Sequence, residues 1–182
     1  MNNVIYRKAT PADAYEIEFV AAHSWNETYS DFMPKEYLAN RIATIKDKVS
    51  RTEKYLSETD NYYVAEKDNQ IVGIMQFSIS QDERFNNYGK LNAIYLLKKY
   101  QGLGIGKELF KIAVNGLINL GYNKMYLECI TNNPTMGFYE YYYGNAIEVI
   151  DYPIRDFSVK ANIVVFDDLS KTMQKLNRTI KE

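Results

Sequence analysis

Residues 101–106 of this 182-residue chain read Gln-Gly-Leu-Gly-Ile-Gly, three glycines at alternate positions between an apolar run and an amphipathic stretch. Such a segment can hold a phosphate. A glycine has no side chain to keep a ligand off the main chain, so several amide hydrogens converge on one anion while a helix N-terminus adds partial positive charge. Lys107 adds a full charge at the same end. A glycine-rich turn from strand to helix can equally be a tight connection that binds nothing. Glu128 is a second candidate, because a carboxylate inside the apolar run 124–130 is costly unless it is used or paired. It is either a general base or the partner of Lys124 or Lys90. Trp25, Glu27, Tyr29 and Asp31 bring aromatic and acidic groups together, a combination suited to a cationic amine. The alternative is that Trp25 anchors a helix and the acids are solvated. His23, the only histidine, reads as partly buried or solvated rather than as a base. Cys129 faces away from Glu128 by strand alternation and reads as core.

These residues need a scaffold, and the periodicities supply one. Residues 4–8 read as a strand, and Thr10-Pro11 caps and opens a helix reaching about residue 28, striped by Ala14, Ile17, Ala21 and Trp25. A second helical region, with a break, runs from Pro34 to residue 57. Residues 62–66 and 71–79 read as a hairpin about the turn 67–70, and a polar loop over 80–87 leads to a strand over 91–97. The helix over 104–120 carries Leu109, Ile112, Ala113, Leu117 and Leu120 on its apolar face and stops at Gly121. A strand over 124–130, a short helix over 134–142, strands near 147–152 and 160–166, and a helix over 168–177 complete a mixed α/β layout. Asn133 reads as the N-cap of the short helix, with Pro134 at its first position.

Two familiar phosphate motifs fail. A Walker A loop requires Ser or Thr after Gly-Lys, whereas Gly106-Lys107 is followed by Glu108, and Gln101 occupies the first glycine position. The dinucleotide fingerprint fails because Lys107 stands where the third glycine belongs, and Glu128 lies inside its apolar run rather than at the end. The segment instead resembles the acetyl-CoA signature of the GNAT N-acetyltransferase superfamily, Gln-x-x-Gly-x-Gly at the head of a helix. A second signature follows about thirty residues later as Asn133-Pro134-Thr135-Met136-Gly137-Phe138-Tyr139-Glu140. Thr135 or Met136 replaces the usual alanine or serine, and Tyr141-Tyr142-Tyr143-Gly144-Asn145 replaces the common Lys-x-x-Gly-Phe ending. The resemblance covers about residues 4–166.

The resemblance implies a mostly antiparallel central sheet, splayed between its fourth and fifth strands and flanked by helices, in one domain spanning 1–182. It implies acetyl-CoA as acetyl donor and direct attack by a primary amine, with no metal and no acyl-enzyme. Backbone amides of Gly102, Leu103, Gly104, Ile105, Gly106 and Lys107, with Gln101, would hold the pyrophosphate, and the strand edge at Ile94, Tyr95 and Leu96 would pair with the pantetheine amides. A strand amide near Leu96 would donate to the thioester oxygen. Tyr139 would protonate the departing thiolate, the reference pKa values of tyrosine and thiol being about 10 and 8.5; its alternative is a core tyrosine. Asn133 would contact the cofactor as well as cap its helix. Glu128 matches a base position on the fifth strand, whereas the family's fourth-strand glutamate is missing, with Lys90 and Asn92 in that neighbourhood. Trp25, Glu27 and Tyr29 would wall the acceptor site. Acceptors compatible with the family are a polyamine, taken as the first guess, an amino-acid-like metabolite, an aminoglycoside or a protein N-terminus. Homodimers are common in the superfamily, and the aromatic-rich C-terminal strands would supply an interface. A non-catalytic acyl-CoA-binding module is the rival reading, and a dinucleotide-dependent oxidoreductase a more distant one.

Composition limits the partners. With 22 basic and 23 acidic residues the chain has no bulk field to draw it onto nucleic acid. No apolar stretch approaches the roughly 20 residues that cross a bilayer. A start lacking a signal-like apolar segment and a single cysteine point to a reducing, cytoplasmic setting. The 17 tyrosines read mostly as strand and core-edge residues.

Overall fold

The expected elements recur almost one for one in a computed structural model that describes residues 4–178. Residues 1–3 and 179–182 of the single-domain expectation lie outside the described residues. The strands are β1 (Ile5–Lys8), β2 (Tyr62–Lys67), β3 (Gln70–Ile79), β4 (Gly89–Leu96), β5 (Met125–Ile130), β6 (Asn145–Ile154) and β7 (Phe157–Phe166). The helices are α1 (Ala14–Tyr29), α2 (Lys35–Ala43), α3 (Ile45–Glu58), α4 (Ile105–Asn119), α5 (Met136–Tyr141) and α6 (Leu169–Asn177). The sheet order is β1-β2-β3-β4-β5-β7-β6. The pairings of β1 with β2, β2 with β3, β5 with β7 and β6 with β7 are antiparallel, whereas that of β4 with β5 is parallel and covers Gly89↔Met125 and Lys90↔Tyr126, the first two residues of each strand. This is the mixed α/β fold expected, with its irregularity between the fourth and fifth strands.

The chain forms two compact units, one comprising residues up to Gln76 with Ala93–Phe110, the other Phe77–Asn92 with residues from Lys111 onward. Each has its own apolar cluster. In the first, Ala14, Ile17 and Val20 of α1 meet Leu56 of α3 and Val64, Ile71 and Ile74 of β2 and β3. In the second, Phe85 stacks on Tyr126 at 4.4 Å beside Ile163 and Val165 of β7.

Local chemistry explains most boundaries. The β2–β3 hairpin turns on Asp68 and Asn69, with φ of 53° and 58°, the left-handed pair that a two-residue hairpin requires. Gly121, at φ 89°, ends α4: Tyr122 N donates to Leu117 O at 3.0 Å and Gly121 N to Ile118 O at 2.9 Å. Leu120, expected on the apolar face, lies past the last helical turn and is 58% exposed. At the other end of the chain Pro11–Asp13 forms a 3-10 turn, so α1 proper starts three residues later than Pro11.

Asp13 joins that turn to β1. It accepts from both terminal nitrogens of Arg7 at 2.8 Å, from Thr10 N at 2.7 Å and from Thr10 Oγ1 at 2.9 Å. Arg7 Nε also donates to Glu66 of β2 at 2.9 Å. The Arg7 guanidinium, aided by Thr10 and opposed by burial, holds the Asp13 carboxyl below the usual carboxylate range. The folded-state value is therefore below the unfolded one, so this stabilisation is complete above about pH 4 and is lost as pH falls through the depressed value. Asp13→Asn is expected to lower stability by about 2 kcal/mol at pH 7 and to flatten the acid limb of the stability curve. Urea unfolding at a series of pH values checks both.

Candidate active site

In the first unit, three bonds fix the segment that leads from the end of β4 toward α4. Leu97 N donates to Val72 O at 3.0 Å, extending the sheet contact beyond β4. A 3-10 turn over Lys98–Tyr100 follows, and its Lys98 amide donates to Glu27 Oε2 of α1 at 2.9 Å. Gln101 folds back so that its Nε2 donates to Leu96 O at 3.1 Å. The conspicuous glutamine of the glycine segment thus pins the segment to the strand end.

The segment has the shape of an anion cradle. Gly102 and Gly104 sit at φ 75° and 80°, which L side chains rarely adopt. A Cβ built at Gly102, Gly104 or Gly106 meets nothing within 4 Å, so the main chain is open on that side. The first helical bond runs from Glu108 N to Gly104 O at 3.2 Å, and the amides before it are those a helix end leaves for a ligand. Leu103 is 63% exposed and Ile105 is buried, so the segment is anchored by one side chain and presents its backbone. Open amides, a helix N-terminus and Lys107 fit a pyrophosphate group.

The aromatic residues of the first unit form a cluster. Trp25 is 8% and Tyr29 5% exposed, with rings edge-on at 4.9 Å. Tyr37 of α2 and Tyr95 of β4 meet Trp25 at 6.1 and 6.4 Å. The guanidinium of Arg41 lies 4.3 Å from the centre of the Trp25 ring. Burial pushes the Tyr95 hydroxyl up from its ordinary pKa, and the Arg41 charge opposes the rise. Sequence reasoning singled out Trp25 and Tyr29 but missed Tyr37 and Arg41. An Arg on the same helix face as Tyr37, four residues on, was the available signal.

In the second unit, Glu128 makes the Lys90 alternative concrete. Lys90 Nζ stands 2.8 Å from Glu128 Oε2, both side chains being about four-fifths buried at 22% and 23% exposure. Lys90 Nζ also lies 5.2 Å from the Tyr126 ring. Burial works against the Lys90 charge, but the Glu128 carboxylate prevails and raises its pKa. Lys124 turns instead to Asp167 at 3.6 Å. Cys129 is buried as expected, and burial pushes its thiol up to about 11.

The helix carrying Tyr139 starts later than the Asn133-Pro134 pair suggests. Asn133 Oδ1 accepts from Thr135 N at 2.9 Å and Thr135 Oγ1 at 2.7 Å, closing a turn ahead of α5, and Thr135 takes the N-cap position. The expected cap is thus displaced by two residues, because an Asn side chain can mimic a backbone turn before the helix begins. Tyr139 is half-buried, edge-on to Phe138 at 5.4 Å and to Phe166 at 6.5 Å. Its carbonyl accepts from Gly144 N at 2.8 Å while Tyr143, at φ 73°, ends the helix. A Cβ at Gly144 would stand 2.9 Å from that carbonyl and 2.8 Å from Phe166, which is why the unusual ending Tyr141–Gly144 still keeps its glycine. His23 packs against Phe19 with the rings tilted and 4.0 Å apart, consistent with a partly buried histidine.

The mixed α/β sheet with its parallel β4–β5 pair and flanking helices is the fold of the acyl-CoA N-acyltransferases. The chain belongs to the Acetyltransferase (GNAT) family, whose sequence profile matches residues 19–144, and is an acetyl-CoA-dependent N-acetyltransferase by that membership. It is similar to the N-acetyltransferase YuaI of Bacillus subtilis (strain 168), 28% identical over 177 residues, 96% of this chain and 99% of that one. Among solved structures, the PaiA N-acetyltransferase of Thermoplasma acidophilum in complex with coenzyme A has TM-score 0.66 at 24% identity, covering 90% of this chain and 98% of that one. A GCN5-related N-acetyltransferase of Rhodopseudomonas palustris has TM-score 0.72 at 15% identity, covering 91% and 96%. At these identities the two structures bear on the fold alone. Among the described residues no helix is long and apolar enough to cross a membrane.

Proposed function

We propose that the protein transfers acetyl from acetyl-CoA to a primary amine of a small molecule by direct attack on the thioester. The observation that carries this reading is the open, positive-φ glycine segment at the head of α4. Gly102–Lys107 hold the pyrophosphate by backbone amides, and Ile94, Tyr95 and Leu96 of β4 offer main-chain groups to the pantetheine arm. The amide near Leu96 steadies charge on the thioester oxygen as the amine adds. Tyr139 gives its hydroxyl proton to the departing sulfur, and Asn133 shapes the turn that carries α5. Glu128 takes the proton shed by the amine, through water. A lone buried cysteine among the described residues supports a reducing, cytoplasmic setting.

A second reading of Glu128 is favoured by its pairing with Lys90: the carboxylate then braces β4 against β5. Thiol release from acetyl-CoA against a broad amine panel tests the whole proposal, with Glu128→Gln alongside. As a base, Glu128→Gln cuts kcat per folded molecule about tenfold or more, in addition to the melting-temperature loss from breaking the Lys90 pair. As a brace, it lowers the melting temperature by several degrees while turnover per folded molecule is kept. Thermal stabilisation by acetyl-CoA without thiol release from any amine would favour the non-catalytic module.

A further inference from the structure

The glycine segment is silent on the acceptor, but Arg41 is not. Its guanidinium stacks on Trp25 at 4.3 Å, with Tyr37 at 5.8 Å, so the aromatic face that suits a cationic amine is already covered by the protein's own cation. Glu27, the acidic neighbour that would complete an amine pocket, accepts instead from the Lys98 amide. Positive charge, not negative, therefore dominates this cluster.

That charge is poorly matched by the protein. A guanidinium carries five N–H donors and no acceptor. Nη1 donates to the Tyr37 hydroxyl at 3.1 Å, and Nε is buried with no hydrogen-bond partner. Among the described residues no carboxylate forms an ion pair with Arg41; the acids of the ion pairs are taken by Arg7, Lys8, Arg84, Lys90, Lys124 and Lys160. A half-buried cation without a counter-charge costs stability unless an anion joins it, and a planar guanidinium held by ring faces is pre-organised for a carboxylate. The same cluster includes Tyr95, whose strand is assigned to the thioester arm.

We propose that Arg41, framed by Trp25 and Tyr37, binds a carboxylate of the acceptor, which makes the acceptor a small amine that carries a carboxylate. A polyamine would meet like charge there. This inference rests on the N-acetyltransferase reading and deepens it.

The test measures thiol release for amino acids, for the amines that lack their carboxylate, for the amino-acid amides and for spermidine. The wild type is expected to favour carboxylate-bearing acceptors by about tenfold or more in kcat/KM. Arg41→Gln is expected to raise KM for those acceptors about tenfold with kcat much less affected, Arg41→Lys to retain part of the preference, and Tyr37→Phe to weaken it less. Equal use of acceptors with and without a carboxylate by the wild type overturns the inference. So does a uniform loss across all acceptors in Arg41→Gln, which would make the residue a packing element. A second arm needs no turnover: N-acetyl amino acids with CoA are expected to raise the melting temperature of the wild type and not of Arg41→Gln. A shift without thiol release from any amine would sink the enzyme reading and keep the carboxylate site; no shift in the wild type would sink the site.

Discussion

Tyr139→Phe is expected to lower kcat by about a hundredfold while acetyl-CoA affinity and melting temperature stay nearly constant. The substitution removes one oxygen and leaves the ring, whose edge-on contacts with Phe138 and Phe166 hold α5 in place. On the proposed reading the group lost is the proton donor to the thiolate, and positioned acid catalysis is worth about 10² to 10⁴ in rate. Because the thiolate leaves in the same step that needs the proton, the effect falls on kcat rather than on KM for the donor. Tyr139→Ala is a poor substitute for this test, since it also empties space against Phe166 and costs a few kcal/mol of packing. If steady-state kinetics of Tyr139→Phe match the wild type, Tyr139 is a core tyrosine and another group, or water, supplies the proton.

What could be read along the chain and what could not divides by the range of the interaction. The Asp68-Asn69 turn, the stop at Gly121 and the stripe of α1 depend on neighbours a few residues away, and each matched. So did the choice of helix for 168–177, where Asp168 accepts from Lys171 N at 3.0 Å as an N-cap should. Lys90 and Lys124 were equal candidates for Glu128. The choice depends on parallel register, Lys90 lying opposite Tyr126, and no local pattern encodes that. The bond from Glu27 to the Lys98 amide spans 71 residues, and it converts an apparent amine-binding acid into a brace for the turn before the glycines. Arg41 escaped notice for the same reason: its ring partners come from α1 and α2, and the Tyr95 beside them from β4. Local chemistry misplaced some element ends: α1 starts three residues after Pro11, Leu120 lies beyond α4, and α5 starts late because an Asn-Pro pair serves a turn as readily as a cap.

Gly106→Ala separates a ligand cradle from a tight connection, because the two readings predict opposite consequences for the same methyl group. Gly106 is the second residue of α4, and a Cβ there meets nothing within 4 Å. Unlike Gly102 and Gly104, it is not among the positive-φ residues, so alanine is unstrained. Replacing a helical glycine by alanine restricts the unfolded chain and is expected to stabilise the fold by about 0.5 kcal/mol, a rise of about 1–2 °C in melting temperature. The same methyl would stand where a pyrophosphate approaches the amides, and acetyl-CoA binding is expected to weaken about tenfold or more, about 1.4 kcal/mol. Calorimetric titration with acetyl-CoA beside thermal unfolding reads both quantities from one variant. A more stable protein that binds the donor less well is the outcome that a cradle requires. Undiminished affinity would mean that the glycines at 102, 104 and 106 serve the turn alone, and the assignment of the donor site would move elsewhere.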